Sequence, residues 1–488
     1  MTRTFNWRLV IMTLGALLLI EAFFMLIATV TARLYNEYDF GAFISSTVIT
    51  FVCGIVAMIA GRHAQQHVTE REGYVIVALV WVVFSFFGLM PYYFSGVLTS
   101  YTDSFFETMS GFTTTGATVI NDVEVLPHAT LLWRSMTQWL GGMGIIVLSL
   151  AILPMFGLGG MQLYAAEVTG LSYEKVSPKI ADTSKRLWGV YMVLTAIESL
   201  LLKLFGMNWF DSVNHAMTTI ATGGFSTYNS SIASFSPGIQ YVITVFMLLS
   251  GINFALLIYL LRGKPGKLFE DEENKWYFSA IGAATLIVSV GLFFTRDVSG
   301  WSGAENSFRT GLFTVTASIT STGFAVENYM TWPSLLWVTV FFLMVTGACA
   351  GSTSGGIKWV RILVFIKNGF AEFQRRIHPN AVLPVKLNGK PLSQQTIGNV
   401  MAFFVFYVLI ILATVLVFCG CGIDFDEAIG TTISAISNVG ISIGQYGPAG
   451  TYADFPTLAK WVMTFVMLVG RLEIFTVLLI FTRALWRK

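Results

Sequence analysis

Thr113-Thr114-Thr115-Gly116-Ala117 is the first of four short polar strings that sit between long apolar segments. The others are Ala221-Thr222-Gly223-Gly224-Phe225, Ser321-Thr322-Gly323-Phe324 and Asn438-Val439-Gly440-Ile441. Their aligned glycines, Gly116, Gly224, Gly323 and Gly440, are 108, 99 and 117 residues apart. Such spacing predicts four copies of one unit. Four similar loops around one axis, lined with backbone carbonyls, would make an ion pathway.

The composition agrees with that reading. The 488 residues are 55% hydrophobic and 11% charged, whereas a soluble domain carries about 25% charged residues. Apolar stretches of spanning length fall at roughly 9–32, 40–60, 74–97, 131–154, 187–206, 238–261, 277–295, 333–350, 397–421 and 457–482, about ten spans. The first run is full length and lacks a small-residue cleavage site, so no cleavable signal peptide is expected. Cys53, Cys349, Cys419 and Cys421 fall in or beside apolar segments and read as small hydrophobes. No histidine or cysteine set has metal-ligand spacing, and no nucleophile stands beside a base, so an enzyme is not expected. A net charge of +2 gives no argument for nucleic acid.

Alternating the ten crossings puts 22 of the 29 Lys and Arg on one side. Arg33, Arg134, Arg296, Arg309 and Lys460 fall on the other, while Lys203 and Arg471 lie within crossings. The positive-inside rule then places both termini in the cytoplasm and all four strings at the outer face. Loops 207–238 and 422–459 contain no Lys or Arg, which suits an entrance for cations.

The expected fold class is all-α and polytopic. A two-helix preface (1–72) precedes four units, 73–172, 173–275, 276–395 and 396–488. Each unit reads as spanning helix, short amphipathic helix, polar string, spanning helix. The short helices should start near Asp103-Ser104, Asp211-Ser212, Asn306-Ser307 and Asp426-Glu427, good N-caps that compensate the positive helix end. A helix of about ten residues rises about 15 Å, half a bilayer, so it must dip in and return. Its negative end would face the membrane centre and favour a cation there. Bare backbone at that depth is tolerated only against protein or a filled cavity. The expected carbonyl donors are Thr114, Thr115 and Gly116; Thr222, Gly223 and Gly224; Ser321, Thr322 and Gly323; and Asn438, Val439 and Gly440.

The third unit departs from its siblings. Gly347-Ala348-Cys349-Ala350-Gly351-Ser352-Thr353-Ser354-Gly355-Gly356 would break a helix at membrane depth, and Ile357-Lys358 follows. Gly351-x4-Gly356 lacks the contiguous Gly-Lys-Ser/Thr of a phosphate loop and follows no strand, which argues against nucleotide binding. Arg471 lies inside the last apolar segment with Glu473 two residues on, positions that do not face each other on a helix, so separate partners are expected. Glu21, Glu198 and Lys203, also near membrane depth, read as structural.

Gly111-Phe112-Thr113-Thr114-Thr115-Gly116-Ala117-Thr118, Ala221-Thr222-Gly223-Gly224-Phe225-Ser226-Thr227, Gly351-Ser352-Thr353-Ser354-Gly355-Gly356-Ile357-Lys358 and Gly470-Arg471-Leu472-Glu473 resemble the Trk/Ktr/HKT superfamily of potassium transporters. The two-helix preface makes the chain similar to its bacterial TrkH/TrkG type. The resemblance spans essentially the whole chain and implies K⁺ uptake (with Rb⁺ and, more weakly, Na⁺) across the bacterial inner membrane. It also implies that Gly347, Gly351, Ser352, Gly355, Gly356 and Lys358 belong to a gating loop faced by Arg471. A homodimer and a cytosolic nucleotide-binding RCK (TrkA-like) ring are implied partners beside the lipid bilayer. No cofactor is expected in this chain, with K⁺ as the transported ion. The rival expectation is an H⁺- or Na⁺-coupled symporter, although the strings hold no carboxylate.

Overall fold

Residues 5–64, 70–144, 180–296, 300–381 and 383–486 are described by the computed structural model. The later half of the crossing expected at 131–154, the boundary expected at 172/173, and Lys175 and Lys179 lie outside them.

The preface is a pair of long helices, α1 (Trp7–Tyr35) and α2 (Phe40–Gly61). They touch through small residues: a Cβ on Gly15 would lie 2.8 Å from Gly54 O and from Ala57 Cβ. Bilayer lipid supplies no hydrophobic drive between helices, so close backbone approach does the packing.

The first unit holds α3 (Glu70–Gly88), α4 (Met90–Phe94), α5 (Tyr101–Phe112) and α6 (His128–Gly142). The second holds α7 (Ile180–Leu204), α8 (Trp209–Ile220), α9 (Pro237–Ser250), α10 (Phe254–Leu261) and α11 (Gly266–Glu270). In the third, α12 (Glu272–Thr295) and α13 (Trp301–Ile319) lead to α14 (Ser334–Thr346), α15 (Trp359–Ile377) and a hairpin of β1 (Lys386–Leu387) with antiparallel β2 (Lys390–Pro391). The fourth holds α16 (Gln394–Gly420), α17 (Phe425–Ile436), α18 (Thr457–Arg471), α19 (Ile474–Ile480) and α20 (Arg483–Trp486).

Polarity is distributed as a bilayer requires. On α16, Val405, Val408, Leu412 and Leu416 are each more than half exposed, while the interior collects Thr108, Ser110, Thr113, Thr219, Ser318 and Ser437. Apolar side chains face outward because the surrounding solvent is hydrocarbon, and polar groups gather where backbone and side chains satisfy them.

Six described helices are long and apolar enough to cross a membrane. The stretches expected as simple crossings at 238–261 and 457–482 are instead broken. The axis turns by 112° between α9 and α10, and by 118° between α18 and α19. Asn253 starts the new helix at the first break, its Oδ1 accepting from Ala255 N. Glu473, with φ of 60°, interrupts the second. The stretch expected at 333–350 is a helix of only 13 residues, α14, followed by the irregular segment 347–358 and then α15.

The re-entrant helices also begin differently from expectation. Ser100 Oγ and Asn208 Oδ1 accept the backbone N–H groups of Asp103 and Asp211, so these acids occupy the third position of the helix instead of the cap. Asp424 precedes α17 in the same way without a side-chain cap. α13 starts at Trp301, five residues before Asn306, and runs for 19 residues, against 12 each in α5, α8 and α17.

Candidate functional site

The four re-entrant helices end alike. Thr114, Thr222, Ser321 and Asn438 have φ of 52°, 53°, 52° and 52°. In each string this residue's N–H bonds back three residues, and the next N–H bonds back five: Thr114 N to Gly111 O and Thr115 N to Ser110 O, Thr222 to Thr219 and Gly223 to Thr218, Ser321 to Ser318 and Thr322 to Ala317, Asn438 to Ala435 and Val439 to Ser434. That is a Schellman helix end, which usually takes Gly at the left-handed position. β-branched Thr there is a genuine outlier. Two such threonines, within four nearly identical left-handed turns, mark a constraint imposed by the surroundings, the pattern found at functional sites.

Two residues on, Gly116, Gly224, Gly323 and Gly440 have φ of 81°, 76°, 74° and 88°. A Cβ on Gly116 would lie 2.1 Å from Gly223 O of the second string. On Gly224 it would meet Thr322 O of the third at 1.9 Å, and on Gly323 it would meet Val439 O of the fourth at 2.0 Å. On Gly440 it would meet Thr115 O of the first at 2.2 Å. Each string therefore seats its glycine against the carbonyl of the next, and the fourth closes on the first. The result is a ring of four glycines alternating with four carbonyl oxygens.

Above the ring, a cavity of about 160 Å³ is lined by all four glycines together with Thr118, Ser226 and other loop residues.

Buried side chains hold the strings in place. Asn438 Nδ2 donates to Thr115 Oγ1 (3.0 Å) and Met467 O (2.9 Å), tying the fourth string to the first and to α18. Thr113 and Thr115 hydroxyls bond at 2.8 Å, as do Thr320 and Thr322. Gln138 on α6 donates through Nε2 to Gly223 O (2.7 Å) and accepts from Phe225 N (3.0 Å), clamping the second string on both sides of Gly224. Tyr452 Oη donates to Gly440 O at 3.1 Å. Two of the expected carbonyl donors thus already accept from side chains.

Arg134, counted from sequence as one of the few outer cations, is 2% exposed and paired with fully buried Glu107 at 2.9 Å. It also donates to Ser226 O (3.2 Å) and Thr118 Oγ1 (3.3 Å), and its guanidinium lies 4.1 Å from the Phe225 ring centroid. Glu107 in turn accepts from Val119 N at 2.9 Å. This cluster braces the first and second strings; Arg134 borders the cavity, and Glu107 behind it neutralises the cation. Tyr228, in the loop after the second string, donates to Asp211 Oδ2 at 3.1 Å. Burial first, and then the Asp211 charge, raise that phenol above its ordinary value and keep it a donor.

Beneath the ring lies segment 347–358. Ser354 and Ser321 hydroxyls bond at 3.0 Å, and Gly355 N donates to Ser321 Oγ at 2.6 Å. Thr353 Oγ1 donates to Ile220 O (3.0 Å) at the end of α8, and a Cβ on Gly355 would meet Ser437 O at 2.1 Å. The segment therefore touches the bases of the second, third and fourth strings. Gly347, Gly351 and Gly356 take φ of 67°, 74° and 76°, turns that keep it non-helical. Ser352 Oγ closes a local turn on Cys349 O at 2.6 Å, and Lys358 Nζ donates to Ser354 O. Arg471 reaches across from α18, donating to Thr353 O (2.7 Å), Gly141 O (2.6 Å) and Gly142 O (2.8 Å). Glu473 pairs instead with Arg361, so the two neighbouring ionic groups have separate partners.

The whole chain is matched by proteins of known family. The family described as TrkH, cation transport protein, matches residues 41–488. The chain belongs to the TrkH family. Its relatives include the Trk system potassium uptake protein TrkH of Halomonas elongata, 38% identical over 485 residues, 99% of each chain. The TrkH of Escherichia coli K12 is 37% identical over 487 residues, covering 99% of this chain and all of that one. The crystal structure of the potassium transporter TrkH from Vibrio parahaemolyticus aligns with a TM-score of 0.89 at 34% identity, over 99% of this chain and all of that one. The all-α architecture of re-entrant units is thus the TrkH fold.

Sequence reasoning missed Glu107, Gln138 and Tyr452. A signal existed for two of them. Arg134 and Gln138 stand four apart near the outer end of a crossing, hence on one helical face, and Glu107 is an acid inside a re-entrant helix. Glu21, read as structural, is fully buried on α1 with no hydrogen bond to either carboxylate oxygen among the described residues.

Proposed function

We propose that this chain takes up potassium across the bacterial inner membrane through the ring of strings, acting as a selectivity filter for dehydrated K⁺. The observation that carries the reading is the closed alternation of glycine and carbonyl. It seats the carbonyls of Thr115, Gly223, Thr322 and Val439 against the glycines of neighbouring strings and leaves no space for a side chain at any of the four glycines. Carbonyl oxygens can replace an ion's hydration shell, and four helix C-termini add favourable negative potential. The relatives' names agree with K⁺ as the ion. With Gly223 O and Gly440 O sharing their lone pairs with side chains, the filter holds weaker ion sites than a symmetric one and discriminates less against Na⁺.

Segment 347–358 is the gate in this reading, with Arg471 holding it shut. The guanidinium bridges the segment to α6 and sets a fixed positive charge under the ring, which opposes cation passage. Both termini are cytoplasmic, the ring opens outward, and the chain works as a homodimer with a cytosolic RCK (TrkA-like) ring that supplies nucleotide regulation in trans. Channel-like passage is favoured over coupling to H⁺ or Na⁺, because no carboxylate stands among the described residues that line the cavity above the ring.

The test is Rb⁺ and Na⁺ flux through purified protein in liposomes. Gly116→Ser is expected to abolish the preference for Rb⁺. Unchanged flux of both ions would show that these loops are not the filter.

A further inference from the structure

Beside segment 347–358, the first turn of α12 carries Asp271, Glu272, Glu273 and Asn274 in succession. Together they reach the β1–β2 turn, α15 and segment 347–358. Asp271 Oδ1 accepts from Asn274 N, capping α12, and its Oδ2 accepts from Asn388 Nδ2 in the β1–β2 turn. Glu272 pairs with Lys367 of α15 and accepts from Asn388 N. Asn274 Oδ1 accepts from Cys349 Sγ at 3.2 Å.

Glu273 turns the other way, into the protein. It is 5% exposed. Its Oε1 accepts from Ala350 N at 2.7 Å and from Val360 N at 2.9 Å. Ala350 lies inside the irregular segment, and Val360 lies just beyond it in the first turn of α15. One carboxylate oxygen therefore pins both flanks of the segment to α12. Ala350 N and Val360 N would otherwise be buried donors, each costly to leave unpaired. The ring-facing residues 353–355 are held from the other side by Ser321, Ile220 O and Arg471.

We propose that Glu273 is the latch of the intramembrane segment: a positioning residue that fixes residues 349–360 under the ring and keeps the path closed. The second half of that statement rests on reading the segment as the gate. The first half does not. Because Asp271 and Glu272 tie the same turn to Asn388 and Lys367, the latch is continuous with the cytoplasmic hairpin and α15, so movement there reaches the segment through one turn of helix.

Cys349 reports the latch without reference to flux. It is fully buried, one residue from Ala350. In a background with Cys53, Cys419 and Cys421 changed to Ser, a membrane-permeant maleimide labels Cys349 only when the segment opens. Glu273→Ala removes both hydrogen bonds and is expected to speed labelling about tenfold or more, because labelling follows the population of the open form. Glu273→Gln keeps an acceptor oxygen at the same reach and is expected to label near the parent rate. Should Glu273→Ala fail to accumulate, Glu273→Asp carries the test, since a side chain one carbon shorter cannot bridge both donors and should label at an intermediate rate.

Basal Rb⁺ flux in liposomes is measured on the same proteins, with Arg471→Ala beside them. Faster labelling together with raised flux at unchanged Rb⁺/Na⁺ preference supports the whole proposal. Faster labelling with unchanged flux keeps the latch and overturns the gate reading. Labelling that stays at the parent rate in Glu273→Ala and Glu273→Asp overturns the latch. If Arg471→Ala then still raises flux, the gate reading stands without it.

Discussion

The ring of strings and the layer below it follow different rules. In the ring, four chemically unequal strings adopt one backbone: the left-handed φ values agree within a degree, and each glycine meets its neighbour's carbonyl at about the same distance. One layer lower, the helices that return from the ring have diverged. One bends by 112°, another by 118°, and a third stops after 13 residues and gives way to twelve irregular ones. Equivalence is kept where all four units must meet one central object. It is lost where one occupant suffices. On the proposed reading, the contrast separates selection, a property of the whole ring, from obstruction, a property of one unit with a single arginine.

Breaking the ring should have the largest effect. Alanine at Gly116, Gly224, Gly323 or Gly440 places a methyl within about 2 Å of a carbonyl that cannot retreat. Each of the four variants is expected to lose K⁺ preference by about tenfold or more, corresponding to about 1.4 kcal/mol or more of lost discrimination. Competition between Rb⁺ and Na⁺ uptake checks this. If one quarter tolerates alanine while its siblings do not, the equivalence fails.

Next comes the brace outside the ring. Arg134→Met leaves Glu107 buried without its partner, which costs about 3–5 kcal/mol for a broken buried pair. Thermal melting in detergent should show a marked fall, and adding Glu107→Gln should restore much of it. A single variant as stable as the parent would remove the pair from the support of the first two strings.

In the lower layer, Arg471→Ala should raise basal flux severalfold while leaving ion preference intact, and the counterpart Met463→Ala on the same helix should not. A change in preference would mean that the two layers are not separable. The smallest expected effect is at the helix starts. Ser100→Ala and Asn208→Ala each remove a cap worth about 1 kcal/mol, read as a small drop in melting temperature. Asp424→Ala should cost less, since that side chain makes no cap bond.

Much of the ring was legible in the sequence because its determinants are local. A half-length amphipathic run, a small polar residue able to take positive φ, and a glycine two positions on are all contained within about fifteen residues. The long break in the third unit was legible for the same reason, since ten small or polar residues cannot continue a helix at that depth. The bends at Asn253 and Glu473 were not. A single polar residue inside an apolar run reads as a tolerated interruption, and only tertiary packing makes it a corner. Nor could the sequence show that α13 would start at Trp301, because Gly300 adopts a φ of 88° and makes no side-chain cap. The contacts of Gln138 with Gly223 and Phe225, and of Glu273 with Ala350 and Val360, join residues 75 to 90 positions apart. Separation of that size leaves no local trace.

Closure of the ring within one polypeptide has a practical consequence. A pore assembled from four identical subunits receives every mutation four times over, so the contribution of one quarter is hidden. Here Gly116, Gly224, Gly323 and Gly440 are encoded separately, and a substitution alters a single quadrant. Dose can be titrated one, two, three or four quadrants at a time, in any order, without mixing subunits. The same independence leaves each quadrant free to carry its own side chains, and Thr-Thr-Gly, Thr-Gly-Gly, Ser-Thr-Gly and Asn-Val-Gly share one backbone without sharing one sequence.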